Sequence, residues 1–144
     1  VVTTATEADP HIVRAYREQA GVYREAMELL LRHEAGQAAA LLAVQAVRSA
    51  AAYALAILTG RLAGDEDTVA ALWQAVPQIR LLAEVQPGAD VLALHDDLTL
   101  YAYSIDDAEA HELAHAADTF CAWALSLVPA ATAARPRLKL SMRT

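Results

Sequence analysis

His111, Glu112 and His115 form an H-E-x-x-H stretch, a spacing that suits metal chemistry. Residues four apart share one face of a helix, so both imidazoles can reach a single metal ion. The glutamate between them would then act as general base on metal-bound water. A third ligand is required. The long form of the signature, with a glycine and a third histidine after the pair, is absent: the chain continues Ala116-Ala117-Asp118-Thr119-Phe120-Cys121. Asp118 lies one turn beyond His115 and is the candidate third ligand. Three ligands on one helix face would make a surface zinc site, without the walls that shape a catalytic pocket.

The element carrying these residues argues against a buried site. On a helix, Leu113, Ala117, Phe120, Ala124 and Leu127 make a 4-3-4-3 apolar seam that faces the core. His111, His115 and Asp118 then project outward with Ala122 and Ser126. The preferred reading of the face is a solvated or dimer-contact surface, with a metal-binding surface as the alternative. Other polar groups are weaker candidates. His95-Asp96-Asp97 reads as a wet helix face, Tyr101 and Tyr103 as packing residues, and Cys121 as a small buried apolar residue. No glycine-rich phosphate loop and no nucleophile beside a visible base occur.

The surrounding elements read as helices. The chain has 144 residues, of which 56% are hydrophobic, with five glycines and five prolines. Such an alanine-rich, turn-poor composition favours an all-α domain. Residues 1–8 are expected to be disordered. Asp9-Pro10 starts a helix that runs to about His33, with the seam Val13, Tyr16, Ala20, Tyr23, Met27, Leu30. Arg14/Glu18 and Glu28/Arg32 are i,i+4 pairs on its wet side, and Gly36 is the expected left-handed terminator. The span Gln37 to Thr59 carries one charge, Arg48, and should be the most buried helix. Because it is apolar nearly all round, a small bundle would leave part of it for a second copy, so a homodimer is expected.

Gly60 and Gly64 mark its exit. Asp65 or Asp67 then caps a third helix with Val69, Leu72, Trp73 and Val76 as packing residues, kinked or restarted at Pro77 and continuing through Ile79, Leu82 and Val85. Pro87-Gly88 is a turn, a shorter helix spans Asp90 to Ala102, and Ser104-Ile105-Asp106-Asp107 resembles a capping box for a last helix that stops before Pro129. The expected fold is a single up-and-down bundle of about five helices over residues 9–128. Residues 129–144 would form a flexible basic tail.

Charge and cysteine usage narrow the partners. Net charge is −7. Without Arg135, Arg137, Lys139 and Arg143 it becomes −11 over the rest of the chain. An acidic body disfavours nucleic-acid binding, which needs clustered cations. A lone cysteine excludes an internal disulfide and fits a cytoplasmic setting. The apolar run Ser49 to Gly60 is too short for a membrane span, so no membrane association is expected.

The order of elements resembles the HEPN superfamily, the higher eukaryotes and prokaryotes nucleotide-binding domains. The resemblance covers most of residues 12–128. It is carried by the long alanine-rich helix (Ala43 through Leu55), by the stretch Leu94 to Ser104 in the place of that family's polar motif, and by the last helix from Asp107-Ala108-Glu109-Ala110 to Phe120 and Trp123. Ribonuclease members carry Arg followed five to seven residues later by His. No arginine in this chain has a histidine at that distance. The resemblance therefore implies a non-catalytic binding or interaction module that binds a nucleotide or partners a nucleotidyltransferase. Two alternatives remain open: a metal-dependent hydrolase using His111, Glu112 and His115, and a ligand-sensing bundle with Tyr16, Tyr23, Trp73 and Tyr101 lining a pocket.

Overall fold

The computed structural model of the chain describes residues 9–62, 68–76 and 106–128. They form four helices, α1 (Pro10–Arg32), α2 (Gly36–Thr59), α3 (Thr68–Ala75) and α4 (Asp107–Leu125), and the fold class is all-α. The expectations for residues 1–8, for Gly64 and the Asp65 or Asp67 cap, for Pro77 through Ile105 and for residues 129–144 fall outside the described residues.

α1 begins as its sequence dictates. Asp9 holds extended backbone and its side chain accepts from the His11 N–H at 2.8 Å, while Pro10 occupies the first helical position. Its inward seam is as predicted: Ala20 and Met27 are fully buried, and Tyr23 and Leu30 pack half-buried beside them. The expected pairs Arg14/Glu18 and Glu28/Arg32 do not close to ion-pair distance, which fits the small worth of exposed pairs.

The turn out of α1 corrects the expectation for Gly36. Glu34, not a glycine, takes the left-handed conformation at φ 59. Ala35 N–H bonds the Leu30 carbonyl at 2.8 Å and Glu34 N–H the Leu31 carbonyl at 3.1 Å, which together make a Schellman ending. Gly36 instead opens α2. A Cβ placed there would sit 3.0 Å from Ala110 Cβ on α4. The glycine is needed for close approach of two helices rather than for a backbone turn.

α2 is the centre of the molecule, as its composition predicts. Every residue from Ser49 to Ala56 is buried, along with Ala43, Val44, Ala46 and Val47. α1, α3 and α4 all pack on it. The surface expected to await a second copy on α2 is thus largely covered within the chain. α2 also corrects the membrane argument: taken over its whole length it is long and apolar enough to cross a bilayer, although 67% of its most apolar stretch is buried here. Gly60 ends it at φ 75, with its N–H on the Ala56 carbonyl at 2.8 Å. α3 stops two residues short of Pro77, where a following proline disfavours helical backbone.

The side-chain links fix direction. The three-residue connection after α1 makes α1 and α2 antiparallel, and Ser49 Oγ donates to Gln19 Oε1 at 3.2 Å midway along them. Arg24 meets Asp118 and Arg17 meets the Leu125 carbonyl, so α4 also runs antiparallel to α1. Gly36 lies beside Ala110 and Tyr53 beside Leu127, so α4 runs parallel to α2.

Candidate functional site

α4 is positioned at both ends. A capping box starts it: Asp106 accepts from Glu109 N–H at 2.8 Å and Glu109 reaches back to Asp106 N–H at 3.4 Å. The box lies two residues beyond the predicted Ser104–Asp107 one. At the other end no basic residue lies in the last turn. The unpaired carbonyls are met from other helices: Tyr53 donates its hydroxyl to the Leu127 carbonyl at 2.8 Å, and Arg17 donates to the Leu125 carbonyl at 3.3 Å. Arg17 also lies 6.0 Å over the Tyr53 ring and brings a positive charge to the negative end of the helix dipole.

The buried stripe of α4 is Ala110, Ala114, Ala117, Cys121 and Ala124, with Phe120 beside it. Leu113 is only half-buried. The stripe is turned about 50° from the predicted Leu113-centred seam, a shift estimated at 100° per residue. The reason is packing: a stripe of methyl groups lets α4 lie close to the alanine face of α2, whereas a Leu113-centred stripe would hold the helices apart.

That rotation brings Asp118 to the side of α4 that meets α1 and leaves both histidines exposed. His111 and His115 are exposed, as is Glu112 between them. His111 Nδ1 lies 2.9 Å from the Asp107 carbonyl and 3.7 Å from Asp107 Oδ2. A carbonyl only accepts, so this contact is a hydrogen bond in the forms that carry a proton on Nδ1. Asp118, expected on the same outer face, turns instead toward α1. It accepts from Arg24 Nε at 2.8 Å, with the side chains 39% and 27% exposed. No group of three or more histidine, cysteine or acidic side chains able to hold a metal occurs among the described residues.

Arg24 was not singled out by the sequence. Its place is legible only in that it lies four residues before Glu28 on the flank of the α1 seam. Asp118's hydrogen bond holds the guanidinium more firmly protonated than usual, against the opposing effect of burial. Beneath this pair lies Cys121, fully buried. Burial pushes its thiol up to about 12, which the nearby Arg24 only partly offsets. Such a thiol is no nucleophile near neutral pH. The cluster Arg24–Asp118–Cys121 joins two helices and has the chemistry of a structural link.

Among the ligand-pocket candidates, Tyr16 and Tyr23 are half-buried on α1, while the Trp73 side chain and Tyr101 fall outside the described residues. So do His95-Asp96-Asp97 and the whole stretch Leu94 to Ser104. Comparison of the chain with family models, with curated proteins and with solved structures gives no match.

Proposed function

We propose that the chain is a non-catalytic helical binding and interaction module, HEPN-like in plan, built as an up-and-down bundle of about five helices and self-associating as a homodimer. The observation that carries this reading is the Arg24–Asp118 bond. It commits to helix packing the acidic group that an H-E-x-x-H site would need as its third ligand. The other polar side chains near the core do the same work: Tyr53, Arg17, Ser49 and Gln19 each tie one helix to another. The large apolar side chains Ile12, Val22 and Leu29 stand outside, on α1. A single buried cysteine supports a reducing, cytoplasmic setting. A nucleotide, or a nucleotidyltransferase, is the partner implied by the HEPN resemblance.

Light scattering of the full chain over a hundredfold concentration range tests self-association. A dimer is expected, and a clean monomer throughout would remove that part of the reading. The hydrolase reading keeps one supporting observation, the exposure of His111 and His115 one turn apart on α4. Zinc content of untagged protein, compared with His111→Ala, tests it. Equal metal in the two proteins would sink it, and a stoichiometric loss in the variant would revive a surface site formed by His111 and His115.

A further inference from the structure

The geometry points to a second copy of this chain as the occupant of the outer face of the α1–α2 hairpin, with the two-fold axis parallel to the helices. This rests on the interaction-module reading and names the surface it uses. α1 carries two seams. Val13, Tyr16, Ala20, Tyr23, Met27 and Leu30 turn inward. One residue earlier, Ile12, Ala15, Gln19, Val22, Ala26 and Leu29 repeat the same 3-4-3-4-3 spacing, about 100° round the helix. A helix facing one core needs only the first seam. The second leaves Ile12, Val22 and Leu29 at 40%, 64% and 51% exposed.

α2 extends the same face. Gln19 bonds Ser49, which sets those two positions level. One residue before Ser49, Arg48 opens outward, and Gln45 and Leu41 follow it at helical spacing. Leu41 is 40% exposed and sits level with the Ala26–Leu29 end of α1. Two helices side by side that expose Ile12, Val22, Leu29 and Leu41 are half of a four-helix interface.

Charge selects the occupant and its direction. Glu18 and Glu25 are exposed along the rim of α1 away from α2. Arg48, the lone charge of α2, stands on the opposite rim, almost level with Glu18. An axis parallel to the helices lays α1 over the partner's α2. Arg48 then faces Glu18 of the partner subunit, and the symmetry makes that pair twice. An axis across the helices would lay α1 on its own copy. Glu18 would then meet Glu25 of the partner subunit, and each Arg48 would meet the other. Like charges in register disfavour that second arrangement.

The test uses the full chain and its dimer dissociation constant, with circular dichroism as the folding control. Val22→Glu is expected to keep helix content and melting, since the side chain is mostly exposed, and to weaken the dimer by at least about tenfold. Arg48→Glu and Glu18→Arg should each weaken it several-fold, and the double variant should recover most of the loss. A wild-type dimer untouched by Val22→Glu would overturn this face while leaving self-association standing. A wild-type monomer would overturn both. A dimer weakened by Val22→Glu but tightened by Glu18→Arg would overturn the parallel axis in favour of the crossed one.

Discussion

Asp118 shows how little a residue's type decides without its neighbours. Its spacing from His111 and His115 suits a metal, yet its carboxylate meets Arg24 because α4 is rotated by half a residue from the most hydrophobic register. Cys121 is the counterpart. A lone thiol next to an arginine has the look of a reactive group, but full burial outweighs the nearby charge. The sign of its effect on stability follows from linkage. The folded chain holds the thiol proton more tightly than the unfolded chain, whose thiol ionises near 9.0. Its contribution is fully present below that value and is lost as pH rises from about 9 towards 12. Denaturant melts at stepped alkaline pH should show wild type losing up to roughly 1.4 kcal/mol per pH unit more than Cys121→Ala. Equal slopes in the two proteins would contradict a deeply buried thiol.

At the scale of elements, two glycines with opposite reasons make a paired prediction. Gly21 sits inside α1 with nothing near the position of an added Cβ. Gly21→Ala should therefore raise stability by about 0.5–1 kcal/mol through helix propensity alone. Gly36 opens α2 against Ala110, where an added methyl group meets another at 3.0 Å. Neither backbone yields easily there, so Gly36→Ala should cost about 1–3 kcal/mol by forcing α2 and α4 apart. Urea unfolding of both variants checks the contrast, and a stabilised Gly36→Ala would show that the α4 start moves freely. Much of this scale was readable beforehand. Asp9-Pro10, the α1 seam, the buried character of α2 and the Gly60 ending all follow from local rules. The left-handed role expected of Gly36 falls to Glu34, because a turn glycine and a close-packing glycine look alike in sequence.

At the scale of the molecule, alanine sets the distances. α2 and α4 meet largely through methyl groups: Ala39, Ala43, Ala50 and Ala54 on one, Ala110, Ala114 and Ala117 on the other, all nearly or fully buried. Ala117→Leu should lower the melting temperature by overpacking, at about 1–3 kcal/mol. It should do so more than Leu113→Ala on the half-buried flank. The reverse order would restore the Leu113-centred seam. The direction of α4 also bears on topology. α4 runs against α1 and with α2, so the proposed five-helix bundle would need one connection that does not alternate.

The sequence by itself determined what local chemistry can determine: the all-α class, the start of α1, the end of α2, and the central place of an alanine-rich helix with one charge. Those follow from caps, spacing and burial, which act over a few residues. Only the tertiary structure decided the rotation of α4, and with it the pairing of Asp118 with Arg24. Rotation is set by how closely two faces approach, and a stripe of alanines approaches closer than a stripe of leucines. In a linear sequence the leucines carry the stronger hydrophobic signal. In the packed molecule the smaller residues won the interface, His111 and His115 stayed in water, and Asp118 was drawn to Arg24 on a helix ninety-four residues earlier in the chain.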